Sequence, residues 1–389
     1  MFNKISFRRV TSSGNYIPEV DGLRFVAIMS VFIYHFTQLV VEKNRFTYHD
    51  SKESYRVFYQ LSGHGNRGVE LFFMISGFIL AMPFAKQYLL GGKGIAIKEY
   101  FFRRITRIEP PYIVSLVICF IAKVYIARSE TFSQLIPHFF ASVFYIHNFI
   151  YGRNSLPLVN GVAWSLEIEV QFYLLAPFLF RMFSLPQVWR RTLMVVTAVL
   201  FSVIFPHLII LPFKSILDFI PYFILGCLLA DFYISETKVN MSGIFQLIIF
   251  FILFCSIWLL PNNLVGFGNN EQLKDFLLPW ILFLFFYMVL FSTKLKILMS
   301  KGFIPVVGGM CYSIYLMHLR VFSMTGKMVF SHKLTNYFAL DSLLQLVLMI
   351  LFNVLICGAF FLAIEQPCMN KFWYINLKNK LLGKSSANN

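Results

Sequence analysis

Residues 23–41 read LRFVAIMSVFIYHFTQLVV: nineteen residues with one arginine near the start, one histidine two-thirds along, and almost nothing else that prefers water. A run of this length and character matches the hydrocarbon thickness of a bilayer when wound as a helix. It is the first of ten such stretches, the others falling at about 69–85, 108–127, 164–183, 192–213, 216–234, 243–261, 275–293, 303–325 and 343–364. The alternation expected of a barrel strand is absent, so helices are the predicted spans. The composition agrees. Apolar residues make up 58% of the 389 and charged residues 13%, with 47 phenylalanines, against roughly 25% charged in ordinary soluble domains. Such a chain cannot cover itself with a hydrated surface, which excludes a soluble enzyme. The net charge of +16 sits in short loops rather than on one basic face, which argues against a nucleic-acid partner. The six cysteines lie in or beside apolar runs with no paired or metal-ligand spacing, and read as small core residues with no metal site.

An eleventh apolar piece, 137–150, is short and holds Pro137, His138, His147 and Asn148. Basic residues accumulate on the cytoplasmic side of membranes. With the N-terminus inside and 137–150 not crossing, cytoplasmic segments hold 20 Lys/Arg and outer segments 11, while three basic residues fall within spans. If 137–150 crosses, the count becomes 14 inside against 17 outside. The sequence therefore predicts an all-α polytopic membrane protein of about ten transmembrane helices, with both termini cytoplasmic and 137–150 re-entrant or interfacial. Its parts are a cytoplasmic arm at 1–17, one membrane-embedded domain at 18–370 and a basic cytoplasmic tail at 371–389. A cleaved leader is not expected, because the first span is long and interrupted by polar groups.

Ionisable groups inside spans are costly and usually face an interior or a wet cavity. Arg24 and His35 are eleven residues apart, hence about 16 Å along a helix and within about 20° around it. They either line a shared cavity, or Arg24 reaches for headgroups while His35 is a satisfied interior histidine. In EYFFRRITRIEPPY (99–112), Arg103, Arg104 and Arg107 place three guanidinium forks at one boundary. Such forks suit phosphates, although anchoring to anionic lipid explains many clusters of this kind. In WSLEIEVQFYLLAP (164–177), Glu167 and Glu169 project roughly 200° apart, so one can face the interior while the other meets the outer interface. Glu70, His318 and Glu365 are further candidates, and Asp218 and Asp231 read as end residues of one span.

Taken in order, DGLRFVAIMSVFIYHF, GVELFFMISGF, FRRITRIEPPY, VAWSLEIEVQFYLLAP, YSIYLMH and IEQP resemble the acyltransferase-3 family, integral-membrane O-acyltransferases that modify sugars and other acceptors. The resemblance runs from about residue 18 to 370. It implies Arg24 and His35 as the essential pair, Glu169 rather than Glu167 as the third catalytic group, and Arg103, Arg104 and Arg107 as the acyl-donor site. Ser76, Trp164, Ser165, Tyr315 and His318 match family motifs assigned to the substrate cavity. Glu70 stands where Asp is commoner, Glu109 where an aromatic is usual and Cys311 where Ser is frequent. The implied reaction moves an acyl group, most commonly acetyl, from acyl-CoA as cosubstrate to a carbohydrate hydroxyl such as one of O-antigen, capsule or exopolysaccharide. His35 would be the general base, no cofactor is permanently bound, and the implied location is a bacterial inner membrane. The rival reading is a transporter or flippase of lipid-linked sugars that uses the buried Arg, His and Glu as a path. No inverted repeat supports it.

Overall fold

In the computed structural model, residues 16–44, 46–49, 52–208, 210–236, 243–259, 271–370 and 373–374 are described. Most of the arm at 1–17 and of the tail at 371–389 lies outside the described residues, as do the last two residues of the stretch at 243–261. Every element among the described residues is helical.

The chain opens with α1 (Pro18–Lys43), the short α2 (Lys52–Ser62) and α3 (Arg67–Leu90). Next come α4 (Ile97–Ile121), which continues through a π-turn at Ala122–Ile126, then α5 (Phe132–Val143), α6 (His147–Tyr151) and α7 (Ala163–Leu179). The second half holds α8 (Gln187–Val203), α9 (Phe205–Leu208), α10 (Ile220–Ile234), α11 (Gly243–Leu259) and α12 (Glu271–Phe291). It ends with α13 (Thr293–Ser300), α14 (Ile304–Gly309), α15 (Cys311–Val329), α16 (Phe338–Phe360), a π-turn at Phe361–Glu365 and α17 (Gln366–Cys368).

A helix coincides with each of the ten apolar stretches. Five are long and apolar enough to cross a bilayer: Pro18–Lys43, Arg67–Leu90, Ile97–Ile126, Leu273–Phe291 and Phe338–Cys368. Others are shorter than expected. The stretch at 192–213 gives a helix only to Val203, then a turn and the four residues of α9. Ile220–Ile234 and Gly243–Leu259 are apolar but shorter. At 137–150, α5 has 12 residues, a rise of about 18 Å. It ends in a turn where Tyr145 takes a positive φ of 56°, and α6 restarts from His147. Large apolar side chains such as Phe178, Phe251, Leu351 and Leu355 are exposed on helix flanks. Water would not tolerate so much of this surface and lipid does, so this is a membrane protein.

α3 is the most enclosed of the long helices, with 72% of its apolar window buried against 33% for Ile97–Ile126 and Phe338–Cys368. Its closest neighbour is α10. A Cβ on Gly77 would collide with the Phe223 backbone, and one on Gly226 with the backbone of Met74 and Phe78. Two glycines facing across one crossing let the backbones touch, as small residues do where helices associate in lipid. That contact fixes the rotation of α3 and therefore the direction of Ser76. α8 is tied to α10 by charge: fully buried Asp231 accepts from Arg190 and, at 2.6 Å, from Arg191 Nε. The loops beyond α1 and before α16 meet at Asp341, which accepts from Tyr48 (2.6 Å) and from the backbone of Leu334 and Thr335. Burial and that carboxylate push the Tyr48 phenol well above its ordinary value.

Gly77→Ala or Gly226→Ala should destabilise the protein by about 1–3 kcal/mol, read as a lower Tm in mild detergent. Gly94→Ala should be neutral, since a Cβ there meets open space. An unchanged Tm for both buried variants would show that the α3–α10 approach does not hold the core.

Candidate active site

A cavity of about 140 Å³ lies where α1, α3, α4, α7 and α15 converge. α3, α4 and α7 contribute residues three or four apart, the spacing that stacks side chains on one face. α3 supplies Phe72, Ser76 and Ile79, α4 supplies Arg104, Arg107 and Ile108, and α7 supplies Ser165, Glu169 and Tyr173. α15 adds Cys311, Tyr312 and Tyr315, α1 adds Arg24, and Glu365 enters from the π-turn after α16.

Its polar groups are organised around Glu169. Ser76 Oγ donates to Glu169 Oε1 at 2.6 Å, and the Tyr173 phenol bonds the same carboxylate. The Arg104 guanidinium lies over the rings of Tyr100 and Tyr173, 5.7 and 5.8 Å from their centres. Glu365 accepts from Ser313 N at 2.9 Å and from Ser313 Oγ at 2.5 Å. Arg24 Nη1 pairs with Asp21 Oδ1 at 2.5 Å, one helical turn earlier on α1. At the far end of the cavity, Ser165 and Tyr315 share a hydrogen bond of 2.5 Å. Three arginines and two carboxylates thus face one small apolar-walled space, where charges act over distance more strongly than in water.

A second chamber of about 600 Å³ shares Arg24, Ile79, Arg104 and Arg107 with the first. It widens toward Lys86, Lys93 and Arg103, with Asp21, Glu99 and Tyr100 also on its wall. The two meet at the four shared residues, the larger one basic and the smaller one apolar-walled around a polar cluster. The group set is one that could hold a polyanion at the mouth and a reacting acyl group in the neck.

Comparison with known sequences now gives this arrangement a lineage. The profile of an acyltransferase domain family, Acyl_transf_3, matches residues 17–362. The chain belongs to the acyltransferase-3 family. Among curated relatives, O-acetyltransferase OatA of Staphylococcus aureus (strain NCTC 8325 / PS 47) is 30% identical over 174 residues, covering 42% of this chain and 25% of OatA. OatA of strain MRSA252 gives the same figures. A further S. aureus (strain COL) relative, provisionally named as an O-acetyltransferase, is 28% identical over 169 residues, covering 42% of this chain and 24% of its own. The chain thus spans about a quarter of the length of the curated relatives it matches. No solved structure matches.

Of the residues that the acyltransferase-3 resemblance singled out, Arg24, Ser76, Arg104, Arg107, Ser165, Glu169 and Tyr315 line the inner cavity. Arg103 does not. It is exposed, pairs with Glu99 at 2.9 Å and lines only the outer chamber. Three residues lie off the cavity wall. Trp164 sits beneath the Lys214 ammonium, 4.6 Å from its ring centre, and against Phe219. His35 is half-buried on α1, its ring 5.1 Å from that of His318. His318 is fully buried, and its Nδ1 donates to the carbonyls of Ile314 and Tyr315, both at 2.9 Å. Its Nε2 has no partner among the described residues. Arg24 lines both chambers, and His35 is not among the residues lining either of them. Phe72 and Tyr315, whose ring centres are 5.9 Å apart, belong to the inner cavity wall. Arg24 is paired with Asp21 and is mostly buried.

Glu167 does not line the cavity; it is buried and accepts from the Asn148 backbone at 2.9 Å. Asp231 stands in the last turn of α10, as expected of an end residue, and is also a buried ion-pair centre for Arg190 and Arg191. Asp21, Tyr173 and Cys311 escaped sequence reasoning as site residues. The three-residue spacing of Asp21 and Arg24 is a helical ion-pair signal that could have found the first; Tyr173 stands four residues from Glu169 and carries the same kind of signal.

Cys311 lines the cavity, whereas Cys119, Cys227, Cys357 and Cys368 are buried in packing. N-ethylmaleimide should alkylate Cys311 at least tenfold faster than Cys227, measured by peptide mass spectrometry after brief exposure in detergent. Equal rates would show that the cavity is not open to a small reagent.

Proposed function

We propose that this protein is an integral-membrane O-acyltransferase that moves an acyl group, acetyl in the first instance, from acyl-CoA to a hydroxyl of a cell-surface or exported carbohydrate. The observation that carries the reading is the two-chamber path: a wide basic mouth joined through Arg24, Ile79, Arg104 and Arg107 to a narrow neck around Ser76 and Glu169. A CoA thioester has this shape and charge, with phosphates at one end, a thin arm and a small acyl terminus. Arg103, Lys86 and Lys93 would meet the nucleotide phosphates, and Arg104 and Arg107 would flank the arm. Bidentate contacts of guanidinium to phosphate suit the first task.

In the neck, a positive group beside the thioester carbonyl would stabilise the oxyanion as it forms. Arg24 is the cation on the α1 side of that space. The acceptor hydroxyl needs a base, and the His35–His318 pair supplies two imidazoles beyond Tyr315, whose ring centre is 6.1 Å from that of His318. His35 would take the hydroxyl proton as the oxygen attacks the acyl carbon. The C–S bond then breaks, and the imidazolium returns the proton to the departing thiolate. Reaching the neck from that side requires Tyr315 to leave Ser165, so the Ser165–Tyr315 hydrogen bond would close the path until the acceptor arrives. Glu169 would hold Ser76 and position the acyl end.

The same reading places the basic mouth at the cytosol, where acyl-CoA is made, with ten crossing helices, both termini cytoplasmic and α5–α6 re-entrant. Residues 18–370 would act as one catalytic domain in a bacterial plasma membrane, with the arm at 1–17 and the tail at 371–389 on the cytoplasmic side.

Purified protein given labelled acetyl-CoA and candidate glycans should yield acylated product, which a transporter would not. His35→Ala should lower the rate at least about 100-fold, the usual scale for a lost general base. Arg104→Ala should raise KM for acyl-CoA roughly tenfold, as expected for one charge-assisted contact, and leave KM for the acceptor unchanged. Activity of His35→Ala within severalfold of the parent would remove its catalytic role.

A further inference from the structure

Two basic residues within the apolar stretches, Lys123 and Arg320, take no part in the path described above. They lie together at the other end of the helix pair. Lys123 is on the π-turn that continues α4, sixteen residues past Arg107, which is about 24 Å along a helix. Arg320 on α15 is 8% exposed. Its guanidinium is close enough to Lys123 for the two charges to repel, and the Cys119 thiol is its hydrogen-bonding neighbour. Its Nε is buried with no hydrogen-bond partner. Glu130 attracts Lys123 only from beyond ion-pair distance, and among the described residues no carboxylate pairs with either cation.

A buried guanidinium facing a second cation, with only a thiol for company, lacks its counter-charge. The buried Arg190, by contrast, is answered by Asp231. Lipid offers no water to supply the difference. The surface beside the pair faces outward: Ile121, Tyr125 and Ile126 are exposed on the same turns. A π-turn, which recurs at functional positions in helices, sets Lys123 there. We infer that Lys123 and Arg320 form a binding site for the phosphate group of a lipid, seated between the end of α4 and α15 and separate from the donor path. The ligand chemistry is an anionic phosphate on an acyl or prenyl chain. The forked guanidinium would take two phosphate oxygens and the ammonium a third.

The test uses the full-length protein in maltoside micelles, which contain no phosphate. There, Arg320→Gln should be at least as stable as the parent, because it removes an uncompensated buried charge. Titrating dioleoyl-phosphatidylglycerol or a polyprenyl phosphate should then raise the parent's Tm by a few degrees. It should leave the Lys123→Gln/Arg320→Gln double variant unmoved, and native mass spectrometry should show one lipid retained by the parent and lost from the variant. Lys123→Gln alone, at a half-buried position, should weaken retention severalfold without a folding cost. Equal shifts in parent and double variant would overturn the site. The same shift from inorganic phosphate alone would overturn the lipid as its source, and a loss of stability of Arg320→Gln in maltoside would show that the arginine is already compensated within the fold.

Discussion

A carboxylate placed among apolar helices must be answered by donors or by positive charge, and the inner cavity is organised by that demand. Glu169 draws Ser76 from α3, Tyr173 from its own helix and Arg104 from α4 into one cluster. Glu365 does the same for Ser313, and Asp21 pairs with Arg24. Each contact satisfies a group that lipid could not, and together they hold open a polar space that hydrophobic packing alone would close.

Packing supplies the precision. The crossing of α3 and α10 is backbone against backbone at Gly77 and Gly226, so the residue before Gly77 has little freedom in where it points. That residue is Ser76. The motif Ser-Gly-Phe thus carries three jobs in adjacent positions: a hydrogen-bond donor to the site, a close helix contact and a fully buried ring. On the other side, Tyr315 bridges α15 to α7 through Ser165, with the His318 ring 6.1 Å from its own.

Much of this was legible in the sequence because helix and bilayer geometry are regular. Ten apolar stretches are ten helical regions, and the 100° step correctly sent Glu167 and Glu169 to different surroundings. What periodicity could not show is what stands beside two residues on one stripe. Arg24 pairs with Asp21 and lines the cavity while His35 packs against His318, and no spacing within α1 announces these neighbours. The partners of Glu167 and Asp231, Asn148 and Arg190, could not be read for a similar reason, since tertiary packing sets them. Two π-turns shift the register of α4 and α16 just where Lys123 and Glu365 stand, and composition carries no mark of them. Family resemblance named seven of the residues that line the cavity. It did not say which of them touch the same space.

The measurement that bears most directly on the path is a structure of the protein with an acyl-CoA analogue whose thioester sulfur is replaced by methylene. The nucleotide should lie beside Arg103 and Lys93, the arm should pass between Arg24 and Arg104, and the acyl carbonyl should rest near Ser76 and Glu169. Density for the analogue at a lipid-facing surface, or an empty neck at saturating analogue, would contradict the account.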